Sequence, residues 1–257
     1  MTNQTASARP AIGLTFASLF RADFTVLVQS SRTLALNIAV PVIIVIITSL
    51  HGTGKTGILV PGFELSLALS YGLIASSLIG YSITVARDRD AGVFQRLRVT
   101  PAPTWAIMTS RLLVQVVVDL ILTVVVAVLF GIIHHFAYTV TEYLLLVVVS
   151  LVGAAVFLSI GQAIVALVPS ATAVNAIGRL LYVALILIGL IGSSGLLGDV
   201  MQQVSLWSPV GAIIDLYANA LGLTHWDGNT TIAVIASAGY IAIFAFVGIR
   251  WFRWESR

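Results

Sequence analysis

Residues Arg87–Thr104 read RDRDAGVFQRLRVTPAPT, and they lie between two long apolar runs, Leu65–Ala86 and Trp105–Ile133. Within this polar stretch Val93, Phe94 and Leu97 are spaced i, i+1, i+4, which places them on one face of a short helix. Pro101 and Pro103 then stop that helix. A short amphipathic helix with a basic face, tethered between two membrane spans, suits docking onto a partner at the membrane surface. The competing account is a positive loop that only fixes topology.

The rest of the chain sets the class. Of its 257 residues 59% are hydrophobic and 9% charged, where a soluble domain carries about a quarter charged residues. The mean hydropathy is +1.05. These values exclude a water-soluble globule and point to an all-α integral membrane protein with a single transmembrane domain, residues 1–257. There is no cysteine, hence no disulfide and no thiolate metal site.

Ile12–Gln29 carries Arg21 and Asp23, so it does not read as a signal peptide. Phe16, Leu19, Phe20, Phe24 and Leu27 share one face, and Ser18, Arg21, Thr25, Gln29 and Arg32 another. The spacing predicts an interfacial amphipathic helix over 12–32. Six apolar segments of spanning length follow: Leu34–Leu50, Leu65–Ala86, Trp105–Ile133, Tyr143–Val168, Ala173–Ile191 and Thr231–Phe252. Asn37 and Pro41 predict a kink in the first. Gly72, Ser76 and Gly80 form a small-residue stripe in the second, where another helix can approach closely.

Basic residues fix the expected orientation. With both termini inside, twelve arginines (9, 21, 32, 87, 89, 96, 98, 111, 179, 250, 253 and 257) fall on the cytoplasmic side, and only Lys55 falls outside. That bias satisfies the positive-inside rule. The outer connection 192–230 contains Pro209–Leu223, apolar but too short to span. It is expected to lie in the interface or to re-enter before the last span. Gly189, Gly192, Gly195 and Gly198 recur every third residue and are expected to end the fifth span in turns.

Two apparent motifs fail. Gly52-Thr-Gly-Lys-Thr56 looks like part of a phosphate loop, but Ser49 stands where its first glycine belongs, and no strand precedes it. His134-His135 is the only histidine pair, and adjacent residues do not converge on one metal. No His-Glu-x-x-His or Gly-x-Ser-x-Gly motif is present. The residues thus offer no metal site, no nucleotide site and little support for an intramembrane enzyme.

Arg111, Gln115 and Asp119 recur at intervals of four on the third span. Asp119 sits near mid-membrane, where an ionised carboxylate costs about 2.5–3.5 kcal/mol on insertion scales. Arg111 is about 12 Å away along the helix, too far to pair with it. Asp119 therefore needs a hydrated cavity, a proton, or a partner; Asn37, Ser76 and Ser77 lie at suitable depth. A polar patch in a transport path and a structural interhelical hydrogen bond are both open readings.

The run Asp88–Leu113 resembles the cytoplasmic loop of the ABC type-2 export permeases. Asp90, Gly92, Val93, Gln95, Arg96, Leu97, Arg98, Thr100 and Pro101 fall on a pattern written roughly R-E-x-G-V-L-K-R-L-R-x-T-P-x-P, with departures at Asp90, Phe94 and Gln95. The segment Leu206–Asp215 resembles, more weakly, the proline-containing segment before that family's last span. The resemblance implies a permease subunit of an ATP-driven exporter in the bacterial plasma membrane, carrying a drug or other amphipathic small molecule outward through the lipid membrane. It implies a second permease copy and a separate ABC ATPase subunit holding ATP and Mg, with no cofactor on this chain and no nucleic-acid partner. It implies that Asp90, Gly92, Val93, Phe94, Arg96, Leu97, Arg98 and Pro101 form the contact with the ATPase, the apolar face entering a groove on it. A permease for lipid-linked polysaccharide or lipid shares the layout. A membrane enzyme or sensor subunit is the rival of a different class.

Overall fold

Thr139 starts the central helix. Its hydroxyl accepts from the Glu142 amide at 3.3 Å while its own amide donates to the Glu142 carboxylate at 2.6 Å, a reciprocal cap that satisfies two otherwise unpaired helix-start donors. The helix runs Val140–Leu167 and is apolar on every side, one face packed against other helices and another, with Leu144, Val148 and Leu151, exposed. The computed structural model describes residues 12–29, 39, 41–46, 61–98, 103–194 and 198–252, and every regular element among them is helical.

In chain order the helices are α1 Ile12–Gln29, α2 Pro61–Leu73, α3 Tyr81–Asp90, α4 Val93–Arg98, α5 Thr104–His134, α6 Val140–Leu167, α7 Ala171–Ser194, α8 Asp199–Trp207, α9 Pro209–Ala220 and α10 Gly228–Trp251. A π-helical segment, Ile74–Gly80, joins α2 to α3 without a break. In it the Tyr81 amide donates to the Ser76 carbonyl, five residues back. Five helical stretches are long and apolar enough to cross a membrane: Gly62–Asp90, Trp105–His134, Val140–Leu167, Ala171–Gly192 and Gly228–Trp251. The expected first span lies outside the described residues except for residue 39 and the helical stretch 41–46. The Gly52–Thr56 turn and Lys55 also lie outside them.

Helix α6 occupies the middle, with α10 packed along it and α2, α3 and α5 on other sides. Helix α1 lies against α5. The outward faces are apolar too: Ile121, Val125 and Ile132 on α5, Leu180, Val183 and Leu187 on α7, and Ile243, Phe246 and Ile249 on α10 are exposed. So much apolar surface is incompatible with water and fits a lipid surround.

The glycine repeat divides in the structure: Gly198, with φ +77, stands beyond the end of the helix, while two earlier glycines lie within it. Helix α7 continues through Gly189 and Gly192 to Ser194. Gly189 meets Ile214, Val210 and the Tyr71 hydroxyl at 3.1–3.2 Å from where a side chain would begin, so it permits close packing of α9. Gly192 and Gly211 both lack room for a methyl group because Ser205 is wedged between them. The apolar segment Pro209–Leu223 becomes α9, buried along its length against α2, α6, α7 and α10. Ser208 caps it by accepting from the Gly211 amide at 3.1 Å, with Pro209 in the first turn.

Candidate coupling junction and intramembrane polar seam

At the end of the bundle that carries Arg87–Thr104, four elements converge on one guanidinium. Arg111 of α5 pairs through Nη1 with Asp88 of α3, and its Nε lies 3.9 Å from Asp23 of α1. Its Cζ lies 4.8 Å from the centroid of the Phe94 ring of α4, a cation–π contact worth about 0.5–2 kcal/mol according to how far it is desolvated. Phe94 meets Phe252, at the end of α10, edge to face at 5.9 Å. Ser110 donates to Asp23 at 2.5 Å. Burial pushes the Asp23 carboxyl above its ordinary range, outweighing the Ser110 hydroxyl and the Arg111 charge, which pull it down.

Beside this junction the Arg89–Asp90 pair ties two helix ends together. Arg89 is buried and donates to three carbonyls: Nη1 to Val165 at 2.6 Å, Nη2 to Val168 at 2.8 Å and to Pro169 at 2.9 Å. Carbonyls at a helix C-terminus have no partner within the helix and carry its partial negative charge, so a guanidinium fork suits them. Asp90 accepts from the first amide of α7, Ala171, at 2.9 Å. Two consecutive residues thus close the connection between α6 and α7. Gly92 follows with φ +70, where a side chain would be strained, and turns the chain into α4.

The second polar cluster is deep in the bundle. Ser77 donates to Asp119 Oδ2, and Gln115 Nε2 donates to Asp119 Oδ1 at 3.2 Å and to Ser76 Oγ at 2.6 Å. Thr123 donates to the Asp119 carbonyl at 2.9 Å and lies 2.9 Å from Ser150 Oγ, which meets Tyr217 Oη at 2.7 Å. The π-helical turn between α2 and α3 carries both Ser76 and Ser77 to α5. Asp119 is 0% exposed and both of its oxygens accept a hydrogen bond. Thr123 touches only the backbone of Asp119, so the rungs to Ser150 and Tyr217 do not continue from the carboxylate.

The sequence pattern of the ABC-2 type transporter family matches residues 15–221, most of the chain. The chain belongs to that family. It is the membrane-spanning permease subunit of an ABC transporter, a multi-pass membrane protein that works with an ABC ATPase subunit. No curated protein matches it.

The structure divides the residues singled out from the permease sequence between these sites. Arg111 shares a helix with Gln115 and Asp119 but lies in the junction, because its side chain reaches the charged helix ends, while Gln115 and Asp119 lie together in the seam. Phe94 is 0% exposed and Leu97 half-buried, both against this chain's own core, and Val93 is half-buried, so Phe94 itself is covered from within. Gln95 and Arg96 point outward. Gly72 faces Pro41 and Leu122 of the same chain, Ser76 joins the seam, and Gly80 is half-buried where the π-helical segment ends. Arg98 closes the α4 backbone. Asn37 and Pro101 lie outside the described residues.

His134 stacks on Phe130 at 4.2 Å and faces buried Glu64 at 3.9 Å, so it is an intramolecular partner. Asp23, Arg89, Glu64, Ser150 and Tyr217 were not anticipated. A charge inside an otherwise apolar run, as at Asp23 and Glu64, was the available signal.

Proposed function

We propose that this permease exports a drug or other amphipathic small molecule across the bacterial plasma membrane, with both termini and α4 cytoplasmic. Two copies form the pathway and two ATPase subunits, which hold ATP and Mg, drive it. The observation that carries this reading is the Arg111 junction. One side chain contacts α1, α3 and α4, and through Phe94 reaches α10, so displacement of α4 cannot occur without moving the ends of several spans. Helix α1, lying against α5, serves as the interfacial helix, and the α8–α9 pair as the re-entrant closure of the outer face.

The docking face is the outward one: Arg96 and Gln95, with Asp90 and Gly92 fixing the angle at which α4 leaves α3. Charge there sets encounter and orientation more than affinity. Phe94 acts behind that face, as the link between docked ATPase and spans. Copurification of the ATPase separates the two roles. Arg96→Glu is expected to lose the ATPase, Arg96→Lys to weaken it, and Phe94→Ala to retain it. Full copurification with Arg96→Glu rejects α4 as the docking element.

A further inference from the structure

The end of the bundle opposite the junction holds a feature that the coupling reading leaves unused. A cavity of about 450 Å³ lies among α2, α7, α8, α9 and α10, within the size range of small-ligand sites. Asp215 of α9 lines it, with Gln202, Gln203, Thr224 and Asn229 as further polar groups. The Asp215 Oδ2 atom is buried and has no hydrogen-bond partner among the described residues. A buried acceptor left unmade is costly, and a carboxylate oxygen more so.

Next to it runs an apolar groove of about 750 Å³, walled by Leu185, Ile188, Val204, Trp207 and Tyr240. Gln203 belongs to both. Charge in this part of the chain has one sign. Between Arg179 and Arg250 there is no lysine or arginine, while Asp199, Asp215 and Asp227 all fall there. Asp199 stands on the groove itself. An anion would meet repulsion here, and a solute with neither a donor nor a positive charge would leave the Asp215 oxygen unmet. A positive head with an apolar tail satisfies both halves, the head against Asp215 and the tail along the groove beside Trp207.

We infer that this double cavity binds an amphipathic organic cation, an alkylammonium or similar onium compound, with Asp215 as the residue that recognises its charge. The inference rests on the proposed export reading for its meaning as the place where the substrate leaves. Its chemistry stands on the cavity alone.

The test uses the full-length permease in phosphatidylglycerol–phosphatidylcholine nanodiscs without the ATPase. The probes are a dansyl-labelled alkyltrimethylammonium and the uncharged dansyl-labelled alcohol of equal chain length. The cation is expected to bind saturably, at least tenfold tighter than the alcohol, and Asp215→Asn to erase that tenfold preference without changing the thermal midpoint or binding of the alcohol. Trp207→Ala is expected to weaken long-chain cations and leave short-chain ones unaffected, a pattern that a misfolded variant would not give. Displacement of the probe by added phosphatidylethanolamine would assign the ammonium to a lipid headgroup; resistance to it, to a free solute. Equal binding of cation by wild type and Asp215→Asn, or of alcohol and cation by wild type, overturns the site. In sealed proteoliposomes that also carry the ATPase, ATP-driven efflux of the cation that persists in Asp215→Asn would overturn it while leaving export intact. Saturable, Asp215-dependent binding without any efflux would uphold the site and reject export.

Discussion

The junction around Arg111 and the seam around Asp119 are polar clusters on the same helix, about two turns apart, yet they are built in opposite ways. The junction is ionic and partly exposed, and its bonds run between helix ends and the short helix α4. The seam is fully buried, holds one carboxyl group and neutral partners, and joins helices at mid-length. Groups at helix ends can shift as a unit when one end is pushed. A closed set of buried hydrogen bonds resists shearing, because breaking one strands a donor where no water replaces it. The comparison assigns motion to the junction and registration of the helices to the seam.

The largest effect on stability is expected at the junction's anchor. Arg89→Ala leaves three carbonyls without their donor, and by analogy with a broken buried ionic network should cost about 3–5 kcal/mol. The thermal midpoint of the detergent-solubilised protein reads this. Arg89→Lys should recover only part, since an ammonium cannot reproduce the fork. Full stability in Arg89→Ala would remove the anchor from the account.

The seam should respond by shape rather than by charge. Asp119→Leu strands the Ser77 and Gln115 donors and is expected to cost about 1–3 kcal/mol. Asp119→Asn keeps acceptor and shape, and its cost should lie near the ~0.6 kcal/mol average of an interhelical hydrogen bond in membranes, with transport retained. Loss of transport in Asp119→Asn with assembly intact would move the seam into the transport path.

A smaller, pH-dependent effect distinguishes the two clusters further. Because burial raises the Asp23 carboxyl in the folded state, that state holds its proton to higher pH than the unfolded chain does. Stability from this group is complete below the ordinary carboxylate range, falls as pH rises through the raised value, and is constant above it. Thermal midpoints recorded against pH should show this fall, and Asp23→Asn should flatten it. An unchanged slope would place the titration elsewhere.

Much of the fold was legible in the sequence because span length is a property of the membrane. The helix Trp105–His134 follows the expected Trp105–Ile133 within one residue. Helix α6 begins at Val140, three residues before the expected Tyr143, because its cap uses polar residues that lie ahead of the apolar run. The glycine repeat near 189–198 serves two purposes, Gly198 at a turn beyond the helix and Gly189 and Gly192 at close approaches within it, and spacing cannot distinguish the two. The same ambiguity hid the direction of Phe94: periodicity identifies an apolar face but not what covers it. Arg89 bonds to residues 76 to 80 positions away, and Ser150 to one 67 away. Such partners exist only once the helices are assembled. Asp119 was recognisable from its depth alone, as were Ser77, which bonds it, and Ser76, which bonds Gln115.

The central claim is that α4 moves the spans through Phe94 and Arg111. Efflux per ATP hydrolysed, measured on the reconstituted complex carrying Phe94→Ala, tests it most directly. The ring fills a fully buried site between Arg111 and Phe252, so its removal should leave the ATPase bound and turning over while the ratio falls at least tenfold. An unchanged ratio, with the ATPase bound and active, would contradict the claim.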